Sequence, residues 1–159
     1  MLLKWVMKKE LRHVPFIGPG CALLGHIFLD RRNHEAAVRE LQRVKENLKP
    51  GTSILFFPEG TRSRDGQLHP FKLGAFRMAQ DLELPILPVT IRNAYQILPP
   101  DNIQLRPGRA EMVLHPPIGL DQVRALTPEE LRDRAREVIA GGLTGPAAPG
   151  GGSGSTVMS

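Results

Sequence analysis

The sequence predicts an α/β fold, in which short apolar strands alternate with helices along the chain. Its 159 residues, 41% of them hydrophobic, are enough to bury the core of one domain. Short apolar runs bounded by proline, glycine or charged residues indicate buried strands. Between two of these runs, apolar residues recur at spacings of three and four, which is typical of an amphipathic helix.

The first third of the chain is predicted to hold three strands and one helix. Strands are indicated at Trp5–Met7, at His26–Asp30 and at Ser53–Phe57, and the segment RHVPFIGPG at 12–20 is a predicted loop. Asn33 suits the N-cap of a helix that ends at Pro50-Gly51. The apolar face of this helix is formed by Ala37, Leu41, Val44 and Leu48.

The rest of the folded part continues the alternation. A helix is predicted at Gly74–Glu83, followed by strands at Pro85–Ile91 and Ala110–His115. A last helix begins at Thr127, because Thr-Pro-Glu-Glu is a capping box with proline at the first helical position. Its apolar face continues through Leu131, Ala135 and Val138.

The domain prediction is one α/β domain over residues 1–144 and a disordered tail over 145–159. The tail reads GPAAPGGGSGSTVMS and offers almost nothing to bury. Val14–Leu29 contains no Asp, Glu, Lys or Arg, but prolines and glycines interrupt it and it is shorter than the roughly 20 apolar residues of a spanning helix. Cys21 is the only cysteine, so no disulfide can form within the chain.

The excess of positive charge is concentrated in the first 50 residues of the chain. Residues 1–50 hold ten Lys or Arg against five Asp or Glu, whereas residues 51–159 hold eleven of each. A basic surface favours partners that carry phosphate, such as an anionic membrane or a phosphorylated metabolite. Nucleic acid is the weakest of the candidate partners and is not expected, because one Trp and one Tyr provide no stacking platform beside a basic run.

The segment FPEGTRS, residues 57–63, follows the third predicted strand. Carboxyl ends of strands are where open α/β sheets bind ligands. Gly60 would let a ligand approach the backbone, Thr61 and Ser63 offer hydroxyl donors, and Arg62 offers a planar fork that fits phosphate. Taken alone, the same residues are also consistent with a simple Pro-x-Gly turn.

Four segments in order resemble the glycerolipid acyltransferases, above all the 1-acyl-glycerol-3-phosphate acyltransferase family. Lys9-Glu10-Leu11 with the run Ile27–Arg31 resembles the second motif of this family, and Phe57–Ser63 resembles the third. Pro85–Val89 resembles the fourth, and Phe71–Phe76 resembles the segment after the third. The resemblance covers roughly residues 6–115. It implies a glycerolipid acyltransferase-like α/β domain with a mixed sheet flanked by helices.

The resemblance also implies an activity, which is transfer of a fatty acyl group from acyl-CoA or acyl carrier protein to 1-acyl-glycerol-3-phosphate, giving phosphatidic acid. It implies a phosphate site, whose residues are Arg31, Glu59, Gly60, Thr61, Arg62 and Ser63. Glu59 cannot bind phosphate and would orient an arginine or accept a glycerol hydroxyl. Pro85, Ile86 and Pro88 would lie near the acyl donor, although PILPV is equally typical of a buried strand. Lys72 is a further candidate that the sequence leaves open.

The catalytic pair of this family is absent from the sequence. The family uses a histidine and an aspartate separated by four residues, in which the histidine deprotonates the attacking hydroxyl. None of the five histidines here has aspartate five positions later. We therefore expect an acyltransferase domain that lacks its N-terminal catalytic segment, with no catalytic residue assigned.

Two alternatives remain open from the sequence: a non-catalytic protein that binds lysophospholipid or an anionic membrane, and a non-functional remnant. The expected substrates are lysophosphatidic acid and an acyl thioester, with no metal and no resident cofactor. The expected location is peripheral, on the cytoplasmic face of a membrane, because the basic first third of the chain would face anionic lipid.

Overall fold

A computed structural model describes residues 2–30, 34–61, 63–99 and 105–144. The side chains at positions 34–38 and 41 are not described. Five sequence predictions fall outside the described residues: Arg31, the Asn33 cap, Arg62, the end of the loop at Pro100 and the tail at 145–159. The described residues separate into two compact units, of which the first takes residues from Met1–Thr61 and Phe71–Leu84 and the second from Arg62–Pro70 and Pro85–Ser159.

The first unit is built on a three-stranded parallel sheet. Its strands are β1 (Leu2–Lys8), β2 (Ile27–Leu29) and β3 (Thr52–Leu55), with β1 between the other two. The pairing aligns Lys8 with Leu29 and Trp5 with Leu55. The three strands therefore end at one edge of the sheet, although β3 stops three residues short of the end of β1.

The described residues of the first unit also form three helices and one 3₁₀ turn. The 3₁₀ turn spans Lys9–His13, and the helices are α1 (Ile17–Leu23), α2 (His34–Asn47) and α3 (Gly74–Asp81). Val6, Ile27, Met78 and Leu82 form the buried core, against which Val44 of α2 packs. Lys45 at the end of α2 donates a hydrogen bond of 3.0 Å to the carbonyl of Asp81, which ties α2 to α3.

Part of the predicted loop at 12–20 is helical, so that prediction is wrong there. α1 begins at Ile17 and includes Pro19 as its third residue. Proline is tolerated in a first turn, because its missing N–H has no partner within the helix at that position. Gly18 is also required in α1, since a Cβ atom there would collide with the backbone carbonyl of Arg12.

The second unit contains an antiparallel pair of strands, β4 (Val89–Arg92) and β5 (Glu111–Leu114). The helices are α4 (Ala94–Ile97), α5 (Leu120–Ala125) and α6 (Pro128–Thr144). The strand predicted at Pro85–Ile91 begins only at Val89, because prolines 85 and 88 have no N–H to donate to a ladder. Ile86 instead forms an isolated antiparallel bridge with Ile118.

Helix α6 is capped and anchored as its sequence predicts. The Glu130 amide donates to the Thr127 hydroxyl at 3.2 Å, and Glu130 Oε2 accepts from the Thr127 amide at 2.7 Å. The Thr127 hydroxyl also donates to Glu130 Oε2, at 2.9 Å. The two Thr127 donors lower the pKa of Glu130, the backbone amide more than the hydroxyl. Leu131 and Ala135 of α6 are buried, as is Val123 of α5.

A buried polar network fastens the end of α6 to β4. The Thr90 hydroxyl donates to the Ile139 carbonyl at 3.1 Å and lies 2.8 Å from His115 Nε2. Arg92 donates to the Gly142 carbonyl at 2.6 Å and pairs with Glu111 across the strands. The structure thus confirms the α/β class, with the parallel and antiparallel pairings of its described residues in two separate sheets.

Candidate anion site at the carboxyl edge

The carboxyl ends of β1, β2 and β3 form one edge of the first unit, which we call the carboxyl edge and which is defined by Lys8, Leu29 and Leu55. Chain segments that leave this edge include the 3₁₀ turn after β1, Asp30 after β2 and residues 56–61 after β3. The edge therefore gathers Lys9 and Asp30 of the second motif and Glu59, Gly60 and Thr61 of the third.

Charges of opposite sign meet where β1 and β2 end. Lys9 Nζ lies 3.5 Å from Asp30 Oδ2. The guanidinium of Arg12 lies 6.0 Å from the ring centre of Phe28, the middle residue of β2. Arg31, the next residue after Asp30, lies outside the described residues. The described geometry thus brings Lys9 and Arg12 to the end of the strand that Arg31 follows.

The segment after β3 forms a tight turn. The Gly60 amide donates to the Phe57 carbonyl at 3.0 Å, and Gly60 has a φ of 76°. Pro58 and Gly60 occupy the second and fourth positions, which are the positions that these residues favour in β-turns. The Phe57 ring meets the Trp5 indole edge-on at 6.5 Å, so an aromatic contact joins the turn to the central strand.

The predicted site residues after this turn differ in exposure. Glu59 is half-buried, whereas Thr61 is exposed. Arg62 lies outside the described residues. Of the residues predicted for the phosphate site, the first unit thus holds Glu59, Gly60 and Thr61 in one short segment beside the carboxyl edge.

Lys72 lies beside this turn, which the sequence pattern alone could not establish. Its backbone amide donates to the Pro58 carbonyl at 2.8 Å, and its side chain is exposed. The contact joins residues 14 positions apart and depends on the fold of the first unit. The one signal for this contact in the sequence was the spacing between the third motif and the segment FKLGAF, which contains Lys72.

In the second unit, Ser63 belongs to a turn organised by Asp65. One carboxylate oxygen of Asp65 accepts from the Ser63 hydroxyl and from the Gln67 amide, both at 2.9 Å, and lies 3.0 Å from His69 Nε2. These contacts lower the pKa of Asp65, the Gln67 amide more than Ser63. The Ser63 hydroxyl therefore donates within its own turn, and it would have to rotate to donate to a phosphate.

Comparison with known proteins identifies the family. The family model described as Acyltransferase matches residues 2–92. The chain belongs to this acyltransferase family. The matched range includes the carboxyl edge, the turn after β3, Lys72 and the strand β4. The resemblance drawn from the four motifs is thereby confirmed.

Similar proteins of this family come from distant organisms. The 1-acyl-sn-glycerol-3-phosphate acyltransferase of Pseudomonas aeruginosa is 37% identical over 139 residues, which are 87% of this chain and 54% of that protein. The 1-acyl-sn-glycerol-3-phosphate acyltransferase of Saccharomyces cerevisiae is 44% identical over 96 residues, which are 58% of this chain and 32% of the yeast protein.

A solved structure shares the fold of this acyltransferase chain. The crystal structure of the 1-acyl-sn-glycerophosphate (LPA) acyltransferase PlsC from Thermotoga maritima matches with a TM-score of 0.70 and 35% identity, over 87% of this chain and 54% of that one. The chain thus spans from 32% to 54% of the length of these relatives.

Three histidines of this acyltransferase chain make side-chain contacts in the described structure. His26 Nδ1 accepts a hydrogen bond of 3.2 Å from the Trp5 amide, and the His26 ring stacks on the indole at 6.1 Å. His115 lies against Thr90, and His69 against Asp65. In the Asp65–His69 pair the aspartate comes first, and three residues separate it from the histidine, whereas in the family pair the histidine comes first and four residues intervene.

The predicted donor segment lies in the second unit. Ile86 exchanges two backbone hydrogen bonds with Ile118, of 3.0 and 2.8 Å, and Pro88 is buried with its carbonyl accepting from the His115 amide. Pro85 is exposed. The role of these residues toward an acyl donor stays a prediction.

The described part of the chain contains neither a cluster of metal ligands nor a helix suited to span a membrane. No group of three or more His, Cys, Asp or Glu side chains in that part of the chain could hold a metal ion. Among the helices described there, none combines the length and the apolar character needed to cross a membrane.

Proposed function

We propose that this chain carries the acceptor-binding part of a 1-acyl-glycerol-3-phosphate acyltransferase. The whole enzyme would transfer a fatty acyl group from acyl-CoA or acyl carrier protein to the free hydroxyl of the acceptor, and phosphatidic acid would result. The observation that carries the proposal is the turn at Phe57–Gly60 beside the carboxyl edge, in a chain whose relatives bear that enzyme name.

The residues of this edge have the chemistry that a phosphate monoester requires. Gly60 has no side chain to keep an anion from the backbone, and the exposed Thr61 hydroxyl can donate to it. By family resemblance, Arg31 and Arg62 supply charge-assisted hydrogen bonds. Lys72 adds a third cation, because its amide is fixed to the turn and its ammonium is free to reach solvent on the exposed side.

Glu59 has a different role in the proposal. A carboxylate repels phosphate, so it would accept a hydrogen bond from a glycerol hydroxyl or orient an arginine of the site. Asp30 would likewise orient a cation of the site, because it already pairs with Lys9 at the end of β2. The site would then be selective for an anion that carries neighbouring hydroxyl groups.

Chemistry on the bound acceptor requires a base, because a neutral hydroxyl is a weak nucleophile toward a thioester. The 159 residues contain no His-x-x-x-x-Asp pair to supply one. This absence favours a second candidate function for the chain as written, which is binding of lysophospholipid without turnover. Acyl-CoA or acyl carrier protein would be the donor in the complete enzyme, near Pro85, Ile86 and Pro88, and no resident cofactor is proposed.

The proposal includes peripheral contact with the anionic, cytoplasmic face of a membrane. The acceptor is itself a membrane lipid, and the basic excess of residues 1–50 favours an anionic surface.

The phosphate site is tested by calorimetry with a short-chain 1-acyl-glycerol-3-phosphate that stays monomeric in water. Arg62→Ala should weaken binding by about 1.5–3 kcal/mol, the range for a hydrogen bond to a charged group. Arg64→Ala is the matched control. Arg64 is exposed and lies two residues after Arg62, so this variant removes the same charge and should leave the affinity nearly unchanged.

The assignment would be wrong if folded Arg62→Ala bound the acceptor as tightly as the parent chain. It would also be wrong if Arg64→Ala lost as much affinity, because the effect would then report net charge rather than a site. Lys72→Ala tests the third cation separately and should lower the affinity less than Arg62→Ala, since a lysine contributes a point charge without the bidentate fork.

A further inference from the structure

Helix α1 carries a group of strongly exposed apolar side chains. Phe16 is 94% exposed, Leu23 90%, Leu24 70% and Ile17 55%. Single exposed apolar residues are normal on a protein surface, but four on one seven-residue helix and its two flanking positions form a patch. We call these four residues the α1 patch.

Helical geometry places three of these side chains, those of Ile17, Leu23 and Leu24, on one side of α1. Ile17 and Leu24 are seven residues apart, which is about two turns, so they lie nearly in line along the axis. Leu23 lies about 100° from Leu24 around the axis, and Gly20 falls between them. Gly18 falls on the opposite side, where it is buried and in contact with the backbone of Arg12. The close contact at Gly18 fixes which side of the helix faces outward.

The charges around the α1 patch are mainly positive. The chain that leads into α1 holds three exposed basic residues, Lys8, Lys9 and Arg12, and one acidic residue, Glu10. From Leu11 to Leu29 the sequence contains no Asp or Glu. An apolar face bordered by basic residues is the pattern of segments that lie in the interface of anionic bilayers.

We propose that the α1 patch is the surface by which the first unit docks on an anionic lipid bilayer, with its apolar side chains at the boundary between headgroups and acyl chains. The proposal rests on the proposed function in one respect, which is that a lipid acceptor has to be reached at a bilayer. A second copy of this chain fits the patch less well than lipid does, because it would bring the same basic residues against it.

The test measures cosedimentation with vesicles of equal parts phosphatidylglycerol and phosphatidylcholine. The double variant Leu23→Ser/Leu24→Ser should reduce vesicle partitioning about ten-fold or more, because two exposed leucines supply much of the apolar area that enters the interface. Both side chains are exposed, so the variant should melt at the parent temperature. The parent should bind vesicles of phosphatidylcholine alone more weakly, since those lack the negative charge.

The matched control removes similar apolar exposure in the other unit. Met112 and Leu114 of β5 are 68% and 65% exposed, and Met112→Ser/Leu114→Ser should leave partitioning within about two-fold of the parent. Unchanged partitioning of the α1 variant would overturn the proposal, and so would an equal loss in the β5 variant. A dimeric parent that becomes monomeric in the α1 variant, with vesicle binding unaltered, would assign the patch to self-association instead.

These vesicles contain no lysophosphatidate, whereas the calorimetric test of the phosphate site uses a soluble acceptor and no vesicles. The docking surface and the proposed function can therefore fail independently.

Discussion

Gly142 near the end of α6 should not accept a side chain. A Cβ atom at this position would lie 2.6 Å from His115 Nε2 and closer still to the Thr90 hydroxyl, both in the buried network under β4. Such overpacking costs about 1–3 kcal/mol. Alanine also gains about 0.5–1 kcal/mol over glycine in a helix interior. The net loss for Gly142→Ala is therefore expected between about zero and 2.5 kcal/mol.

Gly141 separates the two effects, because a Cβ atom there would meet nothing within 4 Å. Gly141→Ala should show only the gain in helix stability of alanine over glycine. The difference in unfolding free energy between the two variants should then equal the steric cost of about 1–3 kcal/mol. Urea unfolding followed by circular dichroism measures it. Equal stability of Gly141→Ala and Gly142→Ala would refute the close approach of α6 to Thr90 and His115.

Three further predictions concern the buried network, the cap of α6 and turnover. Thr90→Val should lower the free energy of unfolding by about 1–3 kcal/mol, because the Ile139 carbonyl and His115 lose a buried partner; urea titration measures the loss, and an unchanged midpoint would contradict it. The folded pKa of Glu130 is lowered, so the stability advantage of the parent over Glu130→Gln should be complete above the ordinary glutamate pKa and shrink as pH falls through the lower folded value. Thermal melts from pH 7 to about pH 3 follow this difference, and an advantage that grows toward low pH would be the wrong sign. The 159 residues contain no His-x-x-x-x-Asp pair, and removing catalytic residues typically costs several orders of magnitude in rate. We therefore expect no measurable acyl transfer from acyl-CoA to 1-acyl-glycerol-3-phosphate in a labelled-substrate assay, and turnover that depends on one of the histidines would refute this expectation.

Local chemistry made the cap of α6 and the turn after β3 predictable from sequence. When a threonine lies three residues before a glutamate, the side chain of each can bond to the backbone amide of the other at a helix start. Pro58 with Gly60 favours a turn in any context. Helix α1 was missed for the opposite reason, because its one proline and two glycines argue against a helix locally. Gly18 belongs there on account of its packing against Arg12, which no local pattern reveals.

The roles of the candidate site residues stay predictions, and their origins differ. Position at the end of a strand and residue type nominated Gly60 and Thr61, whereas Glu59 came from the family resemblance. The hydrogen bond between Lys72 and Pro58 could not be foreseen, because it depends on how the chain returns after residue 70. The contact between the Ser63 hydroxyl and Asp65 was also missed, since a serine two residues before an aspartate has several other possible partners.

The position of β1 between β2 and β3 affects how the first unit can fold during synthesis. Trp5 pairs with Leu55, so β1 is made about 50 residues before the strand that completes its second side. At about 5–20 residues per second, the central strand remains open on that side for several seconds. During this interval its free edge and apolar side chains can pair with other chains. Crowded expression should therefore favour aggregation through β1, and a lower expression level, which leaves fewer unfinished chains near one another, should raise the yield of folded protein.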